Sequence, residues 1–336
     1  MKYHDVPVSL NIMSYDPKFI IDSETLSAVA DIAALADRIS CSDIAFRDLR
    51  LRRANRMRSI HSSLAIEGST LSLEEVTDII DGRKVAGDPK DIREVRNAAR
   101  AYDLIDRLDP YSADDLLASH GNMLEGLIAF PGKLRDCDVG VYKGGTLVHK
   151  TPDPDDVPRL VRDLMEWVRT SDLHPLVKGC IFHCRLEYIH PFEDWNGRMG
   201  RLWHSLILSK WNPAFSYLPV ESWVKLNQKE YYSTLSEAHR GNIDVFVRFM
   251  LRIILACVDE LADEIAYAPK NSSRMENAIL RMISDDPGST AVLMAKALGV
   301  STRTVKRYLS SMTEKEIIRR TGSDKTGQWE IIRPMQ

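Results

Sequence analysis

Apolar residues recur three and four positions apart along most of the chain, which is the period of amphipathic and buried helices. The ranges with this pattern are 91–108, 112–128, 157–170, 176–189, 197–210 and 229–262. One stretch, 139–152, alternates instead around Gly144-Gly145 and predicts a β-hairpin. The sequence therefore predicts a mainly α fold, with a helical core and one small β-hairpin.

Towards the C-terminal end the pattern changes. Pro, Ser and Asn are frequent in 266–273, as in a linker. Three short helices follow, with Gly299 as the stop of the second and Ser301 as the N-cap of the third. Two strand-like runs, 317–321 and 328–332, come last and enclose a turn bounded by glycines. This order resembles a winged helix-turn-helix domain.

The chain thus divides into an N-terminal helical region (1–85), a helical core (86–265), a linker (266–273) and a winged-helix domain (274–336). A hydrophobic content of 44% over 336 residues is enough for more than one packed core. The first residues lack the apolar centre of a signal peptide, and the apolar run 249–258 is interrupted by Arg252. We therefore expect a cytoplasmic protein without a membrane segment.

Cysteine usage agrees with a reducing compartment. The five cysteines are Cys41, Cys137, Cys180, Cys184 and Cys257. Their odd number and scattered spacing do not suggest a disulfide framework. Cys180 and Cys184 lack a second pair of ligands, so a zinc site is not predicted there.

The stretch 190–201, HPFEDWNGRMGR, combines several chemical groups in a short space. Pro191 cannot continue the preceding helix, so His190 should stand where a buried helix ends. Asn196-Gly197 should begin the next helix, whose free backbone N–H groups favour an anion. Arg198 and Arg201 are three residues apart and share a helix face. The pattern predicts a phosphate site with a histidine base at its edge.

This stretch resembles the signature of the Fic family, HPFx[D/E]GNGRxxR. The resemblance implies transfer of AMP from ATP to a Ser, Thr or Tyr hydroxyl of a target protein, with release of pyrophosphate. It implies that His190 is the general base on that hydroxyl and that Asp194 binds Mg²⁺ against the phosphates. Phe192 would be a buried anchor.

The same resemblance assigns the phosphate contacts. Asn196 and Gly197 would surround the α-phosphate, and Arg198 and Arg201 would bind the outer phosphates. The chain departs from the family at Trp195, where the signature has glycine. With negative φ, Trp195 could offer its backbone N–H to a phosphate. With positive φ it would cost roughly 1–3 kcal/mol of strain. Its indole could crowd the phosphate or cover it, so an altered nucleotide preference or an inactive core stays open.

An upstream segment matches the inhibitory motif of the family, [S/T]xxxE[G/N]. Ser63 and Glu67 are four residues apart and share a helix face, and Gly68 is a helix stop. By the resemblance, Glu67 pairs with Arg201 and competes with the γ-phosphate of ATP. The motif lies before the core, which is the arrangement of one class of the family.

Two further segments resemble parts of Fic proteins. The hairpin at 139–152 would be a flap that holds the target by strand pairing. The segment 223–232 resembles the one that lines the adenine pocket, with Asn227 and Tyr231 as the lining residues. Aromatic residues at this spacing are also typical of a packed core.

The winged helix is basic in an acidic chain. Residues 271–336 hold 11 Lys and Arg against 7 Asp and Glu, a local net charge of +4, while the whole chain carries −3. The cations on the predicted recognition helix and near the wing are Arg303, Lys306, Arg307, Arg319, Arg320 and Lys325. Such residues contact DNA phosphates or bases, but winged helices also dock proteins and dimerise.

Three functions stay open at this point. One is a self-inhibited AMP-transferase that modifies a target protein or itself; transfer of UMP or of a phosphate is a variant of it. A second is a transcription regulator whose Fic core senses a nucleotide or is inactive, which Trp195 and the basic winged helix favour. The third is removal of AMP from a target, with Glu67 positioning the water. A homodimer that controls the inhibitory helix is a further expectation from similar proteins.

Overall fold

The computed structural model describes residues 19–40, 49–143, 146–266, 272–322 and 327–332. The chain forms two compact units, Met1–Ala262 and Asp263–Gln336. The first unit contains the signature stretch, and the second contains the predicted winged helix. Within the described residues, no helix is long and apolar enough to cross a bilayer.

The first unit is built of helices joined by short turns. Its helices are α1 (Ser23–Ser40), α2 (Leu49–Ile66), α3 (Leu73–Ile80), α4 (Pro89–Asp103), α5 (Ala113–Leu124), α6 (Val157–Thr170), α7 (Pro175–Ile189), α8 (Asn196–Trp211), α9 (Val220–Leu226) and α10 (Gln228–His239), followed by α11 (Ile243–Ala266). Local sequence explains several starts. Ser72 and Glu75 form a capping box before α3, and Asp88 caps α4 just ahead of Pro89.

Helices α7 and α8 form the centre of this unit. Most residues of α7 are buried, including Leu176, Ile181 and Phe182, as expected for a helix that is apolar on most faces. Helix α8 is buried along most of its length as well. The signature stretch is the loop between these two packed helices and the first turns of α8. A rigid pair of helices therefore positions its side chains.

The hairpin predicted at 139–152 is confirmed. Strands β1 (Gly140–Lys143) and β2 (Thr146–Lys150) pair antiparallel, with a bulge between Val141 and Tyr142. The predicted turn residues Gly144-Gly145 lie outside the described residues.

Three predicted helices have different bounds. The range 112–128 ends as α5 at Leu124. The range 229–262 is two helices rather than one, because the chain turns at Gly241, whose φ of +107° favours glycine. The range 91–108 stops as α4 at Asp103 and continues as the 3₁₀ turn Ile105–Arg107.

The second unit has the predicted order of elements. Helices α12 (Ser272–Asp285), α13 (Ala291–Leu298) and α14 (Thr302–Glu314) precede the antiparallel strands β3 (Ile318–Thr321) and β4 (Gln328–Ile331). Thr290 and Ser301 cap α13 and α14, and Gly299 ends α13 with φ +67°. Apolar residues of the three helices and β3 form one core, including Ile279, Met294, Val305 and Ile318. Residues 267–271 of the predicted linker and 323–326 of the predicted wing lie outside the described residues.

Candidate active site

His190 stands at the C-terminal end of α7 in the left-handed backbone region, with φ +50° and ψ +60°. Its Nδ1 lies 3.3 Å from the carbonyl oxygen of Glu187. A carbonyl only accepts, so Nδ1 carries the proton and Nε2 keeps its lone pair. Burial lowers the pKa of His190 to about 4. The imidazole is therefore neutral at physiological pH, which is the state a general base requires.

Arg135 fixes the backbone around this histidine. The residue is 2% exposed, and its Nε donates to the carbonyl oxygen of His190 at 2.8 Å. Other guanidinium N–H groups donate to the carbonyl oxygens of Cys137, Pro152 and Ile189 at 2.9, 2.6 and 3.3 Å. One buried guanidinium thus joins the signature loop to the segments on either side of the hairpin. The fork of donors on arginine suits this task in a way that lysine does not.

Phe192 is fully buried and stacks on His120, with ring centroids 3.7 Å apart. His120 accepts from the backbone N–H of Gly132 at Nδ1, so its Nε2–H donates to the carbonyl oxygen of Asp194 at 3.2 Å. Asn196 is also buried, and its side-chain amide makes two 2.9 Å hydrogen bonds with the backbone of Phe192. The Asn196 side chain therefore braces the signature loop.

Trp195 adopts a positive φ of +67°, in the left-handed region that favours glycine. Its backbone N–H donates to Oδ1 of Asp194 at 2.7 Å, so this N–H already has a carboxylate acceptor. The indole is 4% exposed. It does not extend freely over the site, because the guanidinium carbon of Arg198 lies 3.8 Å from the ring centroid. This distance is typical of a cation–π contact.

Arg201 is 2% exposed and is bound by the segment predicted to be inhibitory. Its Nη2 lies 2.8 Å from Oε1 of Glu67 and 3.0 Å from the carbonyl oxygen of Ser63, and its Nε donates to the Ser63 hydroxyl at 3.1 Å. Burial alone would lower the pKa of Arg201. Nearby groups, with the Glu67 carboxylate as the largest contributor, outweigh that effect and raise the pKa. Gly68 follows with φ +99°.

Gly197 has no side chain, and the Glu67–Arg201 ion pair occupies the space where a side chain would lie. A Cβ at Gly197 would lie 2.4 Å from Oε1 of Glu67 and 3.2 Å from Nη1 of Arg201. Any larger residue would therefore displace the carboxylate. The absence of a side chain at Gly197 keeps the N-terminal turn of α8 open to an acidic group.

Both arginines retain unused donors. Nε of Arg198 and Nη1 of Arg201 are buried without a hydrogen-bond partner. A buried donor without an acceptor costs on the order of 1–3 kcal/mol, more when it is charged. These two N–H groups lie at the beginning of α8, where the helix dipole also favours negative charge. The arrangement fits an anion with several acceptor oxygens, such as a polyphosphate.

Asp194 fits the role of a ligand for a hard cation. The side chain is solvent-exposed, and its Oδ1 accepts from the Trp195 N–H. A single carboxylate together with phosphate oxygens and waters is a common ligand set for Mg²⁺. A separate group of potential metal ligands, formed by Asp136, Cys137 and Glu193, is exposed on the surface.

A buried layer lies behind Arg201. Tyr231 is 1% exposed, and its hydroxyl shares a 3.0 Å hydrogen bond with Nε2 of His183. Tyr231, which was predicted to line the adenine pocket, is thus packed in the interior. Glu187 belongs to the same layer, and burial raises its pKa to about 8. Its Oε1 is buried without a hydrogen-bond partner.

The segment 223–232 contacts the end of the inhibitory helix. Lys225 donates to the carbonyl oxygen of Ala65 at 2.7 Å, and Gln228 to that of Ile66 at 2.7 Å. These bonds satisfy carbonyls that α2 leaves open at its C-terminus. Asn227 is half-buried between the two donors, and its Nδ2 donates to the carbonyl oxygen of Trp223 at 2.9 Å.

Comparison with known proteins establishes the family. The Fic/DOC family model matches residues 110–208, and a winged helix-turn-helix DNA-binding model matches residues 273–319. The crystal structure of a Fic family protein from Desulfovibrio desulfuricans G20 is 38% identical and has a TM-score of 0.73, covering 96% of this chain and 100% of that chain. The chain belongs to the Fic family.

Relatives of the Fic core include named enzymes. "Protein adenylyltransferase Fic" from Aedes aegypti is 30% identical over 251 residues, which are 70% of this chain and 47% of the relative. "Protein adenylyltransferase fic-1" from Caenorhabditis elegans is 30% identical over 248 residues, 69% of this chain and 46% of the relative. The chain thus spans about half the length of these curated relatives. A structure of C. elegans Fic-1 shares the fold at 22% identity, with a TM-score of 0.63 and 73% of each chain covered.

The signature alone does not reveal every residue that supports the Fic site. Arg135, His120 and Glu94 come from other segments, and each contacts the signature residues directly. Arg135 carries no motif of its own, so only the fold brings it to His190. Glu94 lies on an amphipathic helix, where a carboxylate is ordinarily a solvated residue.

Proposed function

We propose that this Fic protein is a protein adenylyltransferase that moves AMP from ATP to a hydroxyl group of a target protein. The observation that carries the proposal is that one segment holds both a neutral His190 and two arginines, each with a buried N–H group that lacks an acceptor. The base then lies at the start of the loop between two rigid helices, and the polyphosphate site lies on the first turns of α8. The named adenylyltransferases at about 30% identity support the same activity.

The chemistry follows from the neutral imidazole. Nε2 of His190 takes the proton of the target hydroxyl as its oxygen attacks the α-phosphorus of ATP. The bond from that phosphorus to the bridging oxygen breaks, and pyrophosphate leaves with the electron pair. A positioned base is worth roughly 10²–10⁴-fold in rate. When Mg²⁺ is bound at Asp194, it supplies positive charge against the phosphates.

The arginines stabilise the leaving group in this scheme. Arg198 and Arg201 would bind the β- and γ-phosphates through charge-assisted hydrogen bonds, which are shorter and stronger than neutral ones. The backbone N–H groups at the start of α8 would bind the α-phosphate region. Gly197 permits this close approach because it has no side chain.

Inhibition by Glu67 is part of the proposal. The Glu67 carboxylate now occupies Arg201 and the space beside Gly197, both of which a γ-phosphate would need. ATP must therefore displace Glu67 or bind with its phosphates out of line. Lys225 and Gln228, which bind the end of α2, support the inhibitory position.

The test compares α-labelled and γ-labelled ATP as donors, with Mg²⁺, for Glu67→Gly and Glu67→Gly/His190→Ala. We expect label from α-labelled ATP in protein, none from γ-labelled ATP, and loss of label with His190→Ala. Glu166→Gly is the matched control, because Glu166 forms an exposed ion pair with Arg169. Label from γ-labelled ATP would indicate phosphate transfer and would contradict the proposal.

DNA binding is a second candidate function, carried by the other unit. Arg303, Lys306 and Arg307 are exposed on α14, the helix that enters the major groove in this type of domain. The match to a winged helix-turn-helix DNA-binding model supports it. A gel shift with genomic fragments at several salt concentrations is the test. We expect the logarithm of the binding constant to fall linearly with the logarithm of the salt concentration. We also expect binding to be lost in Arg303→Ala/Arg307→Ala. Salt-independent or absent binding would contradict it.

A further inference from the structure

Arg198, the first arginine of the signature, is bound on two sides. Its Nη1 lies 3.2 Å from Oε2 of Glu94, a residue of α4, and the two side chains are only 12% and 16% exposed. The indole of Trp195 covers one face of the guanidinium. Arg198 is thus enclosed by a carboxylate at its edge and an aromatic ring on its face.

Each of the two signature arginines therefore contacts a glutamate from outside the signature. Glu67 follows α2 and occupies Arg201, while Glu94 on α4 occupies Arg198. Each arginine keeps one buried donor without an acceptor. Neither carboxylate therefore satisfies its arginine completely, and a ligand with more acceptor oxygens would bind both better.

We propose that Glu94 is a second inhibitory carboxylate, which occupies Arg198 as Glu67 occupies Arg201, so that ATP must displace both. This inference rests on the proposed function, because it takes the two arginines to be the ligands of the outer phosphates. It assigns regulation of the site to a residue outside both the signature and the inhibitory motif.

Electrostatics favour exchange of Glu94 for a phosphate. Burial raises the pKa of Glu94, with the charge on Arg198 opposing this effect, so the carboxylate is held where its charge is poorly solvated. Burial likewise lowers the pKa of Arg198. A phosphate brings more negative charge and three acceptor oxygens to the same guanidinium, whereas a carboxylate brings two. A ligand phosphate can therefore compete with Glu94.

One buried residue ties the two carboxylates to the same framework. Glu221 is 2% exposed and accepts from the hydroxyls of Ser59 on α2, Tyr102 on α4 and Ser205 on α8, at 2.8, 3.0 and 3.2 Å. Helices α2 and α4 are thus both fastened to the helix that carries the arginines.

The test measures equilibrium binding of ATP with Mg²⁺ to the full chain by calorimetry. The proteins are wild type, Glu67→Gly, Glu94→Gln and the double variant, with AMP as a second ligand. We expect the double variant to bind ATP about tenfold more tightly than Glu67→Gly. AMP, which lacks the outer phosphates, should bind the two equally. Asp91→Asn is the matched control, because it removes a carboxylate one turn earlier on α4.

Equal or weaker ATP binding in the double variant would overturn the inference, since Glu94 would then position Arg198 or serve only packing. Melting temperatures of all the proteins identify a variant that fails to fold. In that case Glu94→Asp, which keeps the charge on a shorter side chain, should give an intermediate gain. ATP binding is measured without AMP transfer, so the two inferences are tested separately. The binding test can contradict inhibition by Glu94 while the labelling test supports AMP transfer, or the labelling test can fail while the binding test succeeds.

Discussion

Oε1 of Glu67 and Nη2 of Arg201 lie 2.8 Å apart, and the arginine is 2% exposed while the glutamate is 28% exposed. The arginine is therefore a fixed buried charge, and the glutamate is the partner that can leave towards solvent. Ser63 contributes a hydroxyl and a carbonyl to the same guanidinium. When Glu67 leaves, the arginine keeps two neutral contacts and gains room for a phosphate.

Removal of Glu67 should lower the thermal stability of the protein. It should also make that stability depend more strongly on ATP. In Glu67→Gly the Arg201 charge stays buried without its carboxylate, at a cost on the order of 1–3 kcal/mol. We expect a melting temperature several degrees below wild type. ATP with Mg²⁺ should raise that temperature more in the variant than in wild type, because a ligand that binds only the folded state stabilises it. An equal ATP-induced shift in both proteins would contradict competition for Arg201.

The rate of AMP transfer should not fall near pH 6.5, where an ordinary histidine becomes protonated. Burial lowers the pKa of His190 to about 4, so the imidazole stays unprotonated as the pH falls through 6.5. In Glu67→Gly we expect a constant initial rate from pH 8 to about 5.5 and a decline only as the pH approaches that lowered value. Circular dichroism at each pH verifies that the protein is folded. An inflection near 6.5 would show that His190 titrates as an exposed histidine does.

Trp195→Gly should destabilise the fold even though it relieves strain. Glycine would remove the cost of φ +67°, roughly 1–2 kcal/mol for an ordinary side chain. Loss of a buried indole costs about 3–5 kcal/mol, and its contact with Arg198 is lost as well. We expect a net loss of about 2 kcal/mol in chemical denaturation. A more stable variant would mean that backbone strain outweighs packing at this position.

Arg135→Lys should affect the chemical step more than ATP binding. Lysine cannot reproduce the fork of donors to the carbonyl oxygens of His190, Pro152 and Cys137. A loosened loop displaces the His190 imidazole, and a misplacement of about 1 Å can cost roughly 10²-fold in rate. We expect a lower kcat with a KM for ATP within about twofold of the parent, measured in the Glu67→Gly background. A change in KM alone would place Arg135 in ATP binding instead.

Much of the fold follows from sequence pattern because its signals are local. The caps at Thr290 and Ser301 and the stop at Gly299 define the helices of the second unit without reference to the rest of the chain. The single helix predicted over 229–262 was wrong because apolar periodicity continues on both sides of Gly241. Only the positive φ at that glycine reveals the turn.

The site was predictable where one motif carried it and not where the fold assembled it. His190, Arg201 and Glu67 came from linear motifs, and the structure places Glu67 on Arg201 as the resemblance implied. Asn196 and Tyr231 were assigned to the nucleotide, but their polar groups are used inside the protein. Periodicity indicates that a side chain is buried, but not which partner it meets there.

Control of the site by Glu67, which holds Arg201, has a direct kinetic test. The measurement is the initial rate of AMP incorporation from α-labelled ATP over a range of ATP concentrations, for wild type and Glu67→Gly. We predict a rate at least about tenfold higher in Glu67→Gly at low ATP, with a smaller ratio as ATP increases and competes with the carboxylate. Equal rates for the two proteins at low ATP would contradict control of the site by Glu67.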